Sequence, residues 1–274
     1  MRPGRYGTLG RLRAGMKVAC LALYTAPLMP LQSLLARLWR GGAAALPHHF
    51  HRGVCRLLGV RIEIRGRPIR DGGCLMAANH SSWLDIPVLS ACSPVSFVAK
   101  REVGEWGVFG TLARLQRTLF VDRDRRSQTA ATRDAMQARL AAGDHLVLFP
   151  EGTSSDGNRV LPFKSALLGA SDCMVSLGKG REERVRIQPV SVAYVRVHGV
   201  PMGRQYRPFF AWYGDMELPP HLWQALCLGP IDVVVEFHEP VTLDVFGDRK
   251  ALARHCERMV GEGVTAALLG GDGQ

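Results

Sequence analysis

The chain has 274 residues, of which 47% are hydrophobic, so it can bury a sizeable core and fits one large α/β domain better than two small ones. Lys and Arg number 35 against 24 Asp and Glu, and the resulting charge of +11 favours an anionic partner, either nucleic acid or the cytoplasmic leaflet of a membrane. The seven scattered cysteines form no C-x-x-C pair, which argues against a disulfide framework or a zinc site and fits a reducing compartment.

The N-terminal segment predicts membrane association. Five basic residues lie within positions 2 to 17, and positions 18–36 then carry no charge. Pro27 and Pro30 fall inside this apolar run, so a kinked span and an in-plane hairpin are both compatible with it, as is a helix pair packed on the domain. The flanking positive charges should stay cytoplasmic. We predict a membrane-associating segment at 1–45, a connector at 41–51 ("GGAAALPHHFH"), and one domain at 46–274.

Short β-rich runs alternate with helical patterns in the rest of the chain. This alternation predicts an α/β fold with a mostly parallel or mixed central sheet of about seven strands flanked by helices. Helices are predicted from Ser127 as N-cap to a stop at Gly143, with Met136 and Leu140 facing the core, and over 248–269. The predicted strands cover 60–66, 74–79, 95–100, 118–122, 145–150, 187–195 and 233–239.

The stretch "MAANHSSWLDIPVLSA" (76–91) brings a histidine and an aspartate to the end of an apolar strand. Ser81 or Ser82 can cap the helix that follows, which puts Asp85 in its first turn. With His80 in the turn, Asp85 can accept the Nδ1 proton and leave Nε2 free as a general base for a hydroxyl. No G-x-S-x-G nucleophile elbow accompanies the pair, so a substrate hydroxyl is the expected nucleophile. A His-x4-Asp pair alone is weak evidence, because it also arises by chance at turns.

Two further strand ends carry polar residues. "HLVLFPEGTSS" runs a strand into Glu151, Gly152 and Thr153, and "RTLFVDRDRR" does likewise with Asp122 and Arg123. Ligands bind at the carboxyl ends of the strands in open α/β sheets, so these groups should share an edge with His80.

With these blocks the chain resembles the glycerolipid (lysophosphatidic acid type) acyltransferase family. The resemblance covers residues 79 to 190 in family order, through N-H-x4-D (Asn79 and His80 to Asp85), F-x-x-R (Phe120 to Arg123), F-P-E-G-T (Phe149 to Thr153) and a proline in an apolar strand (Pro189).

The resemblance implies transfer of an acyl chain from acyl carrier protein or coenzyme A to the hydroxyl of a lysolipid of the 1-acylglycerol-3-phosphate type. His80 would be the base and Asp85 its partner. Glu151, Gly152 and Thr153 would shape the acceptor pocket, and Arg123 and Lys100 would hold the head group. No cofactor and no metal are implied. The expected location is the cytoplasmic face of the inner membrane.

One branch of the family fits as an alternative. Ser154, Ser155 and Asp156 follow F-P-E-G-T, where family members acting on glycerol phosphates often have arginine. "FPEGTSSDGNRVLPFKSAL" and "AWYGDMELPPHLW" resemble the bacterial lyso-ornithine lipid O-acyltransferases, whose acceptor carries no phosphate.

Other functions stay open at this stage. A non-catalytic basic protein that binds membrane or nucleic acid would explain the charge, but no nucleic-acid motif is present. A hydrolase that uses His80 on water is a third hypothesis. The triplet His48, His49 and His51 lacks acidic or cysteine companions at ligand spacing, so a linker or interface role is favoured over metal. The aromatic-rich stretch 208–226 suits the bilayer headgroup layer or a core corner, with core packing favoured.

Overall fold

All seven predicted strands form in the structure, a computed structural model that describes residues 7–121, 129–178 and 181–270. A hairpin that the sequence did not indicate, β6 with β7, and a two-residue strand, β9, add to them. The strands are β1 Val60–Gly66, β2 Cys74–Ala78, β3 Ser96–Lys100, β4 Leu119–Val121, β5 His145–Leu148, β6 Met174–Gly178, β7 Arg181–Arg184, β8 Arg186–Val197, β9 Val200–Pro201 and β10 Ile231–Phe237.

The main sheet has the order β1-β10-β8-β2-β5-β3-β4, with β9 paired to β8. Strands β8, β2, β5, β3 and β4 run parallel to one another, whereas β10 is antiparallel to β8 and β1 is parallel to β10. The predicted α/β class with a mixed, mainly parallel sheet is therefore confirmed. The parallel group also brings the residues that follow β2, β3, β4 and β5 to one edge.

Helices cover both faces of the sheet. Residues of α2, α3 and α6 share one core cluster with the strands, and residues of α5 and α8 share the other. This double covering explains why β2 is buried at every position and reads as a continuous apolar run. The helices are α1 Thr8–Leu38, α2 Arg40–Leu58, α3 Asp85–Cys92, α4 Gly107–Leu115, α5 Thr129–Ala141, α6 Leu218–Leu228, α7 Leu243–Phe246 and α8 Arg249–Leu269.

The two predicted helices form at or close to their expected bounds. Helix α8 begins after Asp248, whose carboxylate caps it by accepting from two backbone N–H groups. Helix α5 buries Met136 and Leu140 as predicted, while the expected cap Ser127 lies outside the described residues.

The expectation of a connector at 41–51 is wrong, because these residues belong to α2. Two glycines and Pro47 disfavour a helix, but packing against α3 outweighs that propensity. Pro47 has no N–H for the Ala43 carbonyl one turn earlier. The Gln32 side chain of α1 donates to that carbonyl instead, at 2.8 Å, and also to the Leu115 carbonyl at 2.8 Å. Because α2 continues through residue 45, the boundary between 1–45 and 46–274 stays a prediction.

Helix α1 continues through Pro27 and Pro30 and lies along the domain. One face contacts α2, α4 and α6. Ala14 is buried there, the Lys17 ammonium donates to the Leu58 carbonyl at 2.8 Å, and the Tyr24 ring stacks on Phe50 at 5.4 Å. The opposite face exposes an apolar stripe at helical spacing, formed by Leu9, Leu12, Met16, Leu23, Leu31, Leu34 and Leu38. By length and composition alone, α1 could cross a membrane.

Candidate active site

His80 and Asp85 meet at the carboxyl end of β2. The Nδ1 atom of His80 lies 2.7 Å from Oδ2 of Asp85, and the imidazole stays 19% exposed while the carboxylate is fully buried. Asp85 opens α3, and the intervening turn brings the two side chains together. The Nδ1 atom is the donor to the carboxylate, which leaves Nε2 free to accept a proton. Helix α3 starts at Asp85 after Leu84 and has no side-chain cap, so the expectation of a serine cap is wrong.

Four hydrogen bonds fix the Asp85 carboxylate. Besides His80, Oδ2 accepts from the backbone N–H groups of Ser81 at 2.8 Å and Ser82 at 2.9 Å. Oδ1 accepts from the Tyr194 hydroxyl at 2.6 Å. Burial, and next the charge of Asp85, raises the pKa of Tyr194 well above its ordinary value, so this hydroxyl stays protonated and donates. A carboxylate held in this way orients the imidazole and would stabilise its protonated form.

Neighbouring groups hold the His80 turn in place. The Phe149 ring, from the F-P-E-G-T segment, stacks on the imidazole with centroids 4.0 Å apart and an interplanar angle of 16°. The Asn79 amide donates to the Val192 carbonyl at 2.9 Å and accepts from the Val192 N–H at 2.8 Å, which ties the end of β2 to β8. The imidazole is thus packed on one ring face and held at one nitrogen.

Glu151 lies beneath the His80 turn. Its Oε1 accepts from the His80 backbone N–H at 3.1 Å, and its buried Oε2 has no hydrogen-bond partner among the described residues. Burial raises the pKa of Glu151 to about 8, and the charge of Asp85 adds to the rise, while the His80 N–H opposes it. The geometry places this carboxyl against the backbone of the base, and its predicted part in the acceptor pocket stays a prediction.

The other predicted substrate residues take different positions. Gly152 has φ of +75°, a left-handed conformation that favours glycine, and the Lys164 ammonium lies close to it. Thr153 is exposed beside it, and Lys100 is exposed at the end of β3, on the same edge of the sheet. Arg123 lies outside the described residues. Their contacts with a substrate remain predictions.

The aromatic-rich stretch 208–226 divides between core and surface. Phe210 is buried, as the favoured interpretation requires, whereas Trp223 is 41% exposed. Trp212 lies beside the site, since its backbone N–H donates to the Ser81 carbonyl at 2.7 Å and its ring meets Trp106 edge-on at 5.7 Å. The Ser154 hydroxyl donates to the Trp212 carbonyl at 2.5 Å. Ser154, the residue after F-P-E-G-T, therefore connects its own loop to the loop that carries Trp212.

The histidine triplet contributes to packing between helices. Nδ1 of His48 lies 2.7 Å from the Ser90 carbonyl, and Nδ1 of His51 lies 2.9 Å from the Ser90 hydroxyl. Burial lowers the pKa of His51 to about 4. Within the ranges that the structure describes, no cluster of His, Cys, Asp or Glu has the arrangement of a metal site.

Sequence reasoning missed two neighbours of the base, Tyr194 and the ring of Phe149. Tyr194 lies 109 positions from Asp85, so only the register of β8 beside β2 brings them together. The available signal was a lone hydroxyl-bearing aromatic near the end of the apolar run "IQPVSVAYV".

Comparison with known proteins shows the family of this chain. Residues 61–193 match the family model described as Acyltransferase. The chain is 48% identical to the lyso-ornithine lipid O-acyltransferase of Brucella abortus, over 96% of this chain and 97% of that protein. It is 43% identical to the protein of that name from Rhizobium meliloti, over 85% and 80%. The 1-acyl-sn-glycerol-3-phosphate acyltransferase of Neisseria meningitidis is 33% identical over 68% of each chain.

A solved structure shares the fold. The crystal structure of the 1-acyl-sn-glycerophosphate acyltransferase PlsC from Thermotoga maritima superposes with a TM-score of 0.67, covers 97% of both chains and is 22% identical.

Proposed function

The chain belongs to the acyltransferase family, and on that premise we propose that it transfers an acyl chain from a thioester to the hydroxyl of a lyso-ornithine lipid. The observation that carries the choice of acceptor is the 48% identity to a lyso-ornithine lipid O-acyltransferase along almost the whole of both chains. The phosphate-type relative from Neisseria matches at 33% over 68% of each chain. Membership of this enzyme family also argues against the hypothesis of a non-catalytic binding protein.

The proposed reaction needs one base and no covalent enzyme intermediate. Nε2 of His80 accepts the proton of the lipid hydroxyl as its oxygen attacks the thioester carbonyl. The tetrahedral intermediate then collapses with loss of the thiolate, which takes the proton back from Nε2 as the ester forms. The Asp85 carboxylate stabilises the imidazolium between these steps, and Tyr194, Ser81 and Ser82 keep that carboxylate from turning away.

The position after F-P-E-G-T supports an acceptor without phosphate. Ser154 directs its hydroxyl to the Trp212 carbonyl and brings no positive charge to this loop. A 1-acylglycerol-3-phosphate acceptor, the first hypothesis from the sequence, remains the second candidate, because relatives of that name share the family and the PlsC structure shares the fold. Lys100 and Arg123 are the cations that would serve it. The donor is proposed to be acyl carrier protein or acyl-CoA, both of which are anionic and suit the charge of +11.

We place the enzyme on the cytoplasmic face of the inner membrane, with α1 lying in the plane of one leaflet. Contacts with the domain extend from Ala14 to Gln32, about 27 Å at the helical rise, so a spanning orientation would break them. The opposite, exposed face carries the leucine stripe, which suits acyl chains better than water.

Purified enzyme in mixed micelles tests the proposal. Acyl carrier protein and CoA thioesters are each supplied with lyso-ornithine lipid, with 1-acylglycerol-3-phosphate, or with no acceptor. We expect ester formation with lyso-ornithine lipid at a kcat/KM at least about ten-fold above that for the phosphate acceptor. Equal thioester cleavage without acceptor would instead support the hydrolase hypothesis.

The base is tested by His80→Ala, which should abolish transfer while membrane binding and thermal unfolding stay as in the unmodified enzyme. Transfer retained in that variant would refute the assignment of His80.

A further inference from the structure

A cavity lies at the edge of the sheet opposite His80. It has a volume of about 510 Å³, within the range of small-ligand sites, and is open to solvent. Its wall combines the first half of α2, the approach to β2, the loop after α3, and the turns that lead into β4 and β5. These elements meet where the parallel strands begin, so the cavity cannot be the acyl-transfer site.

Positive charge predominates in and around the wall. Arg70 and Arg117 line the cavity, and so does Asp144. Asp144 forms ion pairs with three arginines, at 2.9 Å from Arg117, at 3.3 Å from Arg40, and with Arg139. Three guanidinium groups thus share one carboxylate, and Arg70 is exposed without a partner in the described part of the chain.

The nearby histidines and aspartate do not cancel this charge. Burial lowers the pKa of His48 and of His145, which disfavours a positive charge on either ring. Nδ1 of His145 is buried and finds no hydrogen-bond partner within the residues that the structure describes. Asp71, the other acidic side chain close to His145, pairs with Arg186 at 3.1 Å.

Arg117 is held with part of its guanidinium unused. Its Nη2 donates to both carboxylate oxygens of Asp144, while Nε and Nη1 have no hydrogen-bond partner among the described residues. Arg139 uses Nε on Asp144, Nη1 on the Arg117 carbonyl and Nη2 on Ser96, and so fixes Asp144 and the Arg117 backbone. A guanidinium clamped on one side is prepared for an anion on the other.

The backbone conformation of Arg117 is unusual for a residue that has a Cβ atom. Its φ is +61°, a left-handed conformation that a glycine would adopt without strain. Such a conformation costs a residue other than glycine about 1 kcal/mol, and residues strained in this way are common at ligand sites.

We propose that this cavity binds a phosphate-bearing ligand, through the free edge of Arg117 and the side chain of Arg70. The phosphate is that of a lipid headgroup or of a small soluble molecule. The cavity borders α2, next to the end of the proposed membrane helix, so either source can reach it. This site is separate from acyl transfer, and binding can be measured without turnover.

Thermal unfolding in inorganic phosphate, compared with chloride at equal ionic strength, tests the soluble source. We expect about 10 mM phosphate to raise the Tm by at least about 2 °C. Arg70→Gln and Arg117→Gly should lose this rise. The glycine removes the guanidinium while relieving the left-handed strain, and Arg70→Gln keeps the test valid if Arg117→Gly does not fold. Arg254→Gln, an exposed change on α8, is the matched control and should keep the rise.

Vesicles test the lipid source. Phosphatidylcholine vesicles with and without about 30% phosphatidylglycerol should separate the headgroup from the apolar contribution of α1. If the ligand is a headgroup, Arg70→Gln and Arg117→Gly weaken binding to the anionic vesicles about ten-fold and leave binding to pure phosphatidylcholine unchanged. The site is supported if, in either experiment, Arg70→Gln and Arg117→Gly lose the response of the unmodified protein and Arg254→Gln keeps it. The proposal is overturned if the unmodified protein responds in neither experiment, if the two variants keep the response, or if Arg254→Gln loses it to the same extent.

Discussion

Replacing Tyr194 with phenylalanine should slow acyl transfer without changing the affinity for either substrate. The hydroxyl is the single partner of Asp85 Oδ1 in the described chain, at 2.6 Å, and the carboxylate is fully buried. The variant keeps the ring and its packing, so it removes one hydrogen bond to a charged group. Such a bond contributes about 1.5 to 3 kcal/mol.

The consequence for the rate depends on where that energy is needed. Asp85 stabilises the imidazolium, which exists only after His80 has taken the hydroxyl proton. If the whole loss falls on the transition state, kcat decreases about 10- to 150-fold. Tyr194 is buried in the core and touches no substrate, so KM should stay within about two-fold.

Steady-state acyl transfer in mixed micelles measures kcat and KM, and urea unfolding of the same samples reports stability. Tyr206→Phe is the matched control, because that tyrosine is 45% exposed. An unchanged kcat in a folded Tyr194→Phe enzyme would refute the role assigned to this hydroxyl, and a raised KM alone would indicate a substrate contact instead.

Two other substitutions test Glu151 and α1. The pKa of Glu151 is raised to about 8 by burial, so the folded protein keeps a proton that the unfolded chain releases near pH 4.5; this contribution is complete below pH 4.5 and lost as pH rises through 8. Unfolding in detergent should therefore show stability falling from pH 5 to 9 by up to about 4 kcal/mol more in the unmodified enzyme than in Glu151→Gln. Equal pH slopes would contradict the buried proton. Leu23→Glu combined with Leu31→Glu should weaken binding to phosphatidylcholine vesicles at least about 100-fold, since each leucine contributes about 1.5 kcal/mol or more. Val245→Glu, at a position on α7 about as exposed as Leu23, is the control for sedimentation, and similar losses in both would argue against α1 as the anchor.

The strands could be predicted because β-branched and apolar runs between turns leave few alternatives. All seven central strands lie within two residues of their expected bounds. The hairpin of β6 and β7 was missed because its second strand, "REER", is charged at every position. The α2 segment at 41–51 was missed because its glycines and proline act against a helix, and only the tertiary contact with α3 reverses that preference.

The candidate site was likewise predicted in its local contacts and missed in its contacts between strands. The pairing of His80 and Asp85 followed from local geometry, since five residues across a strand-to-helix turn leave one arrangement in which they meet. Contacts across the sheet could not be predicted from one sequence, and neither the partner Tyr194 nor the contact of Glu151 with the His80 backbone was anticipated.

Through the side-chain amide of Gln32, helix α1 also stabilises the fold, besides its proposed contact with the membrane. Two carbonyls, one freed by Pro47 and one at the end of α4, depend on this single side chain for their donors. A shortened protein that began at α2 would leave both oxygens without a donor and would uncover the apolar side of the remaining helix. We therefore expect that deleting the anchor yields a misfolded protein and not a water-soluble enzyme, so biochemical work on this chain calls for detergent or lipid from the first step.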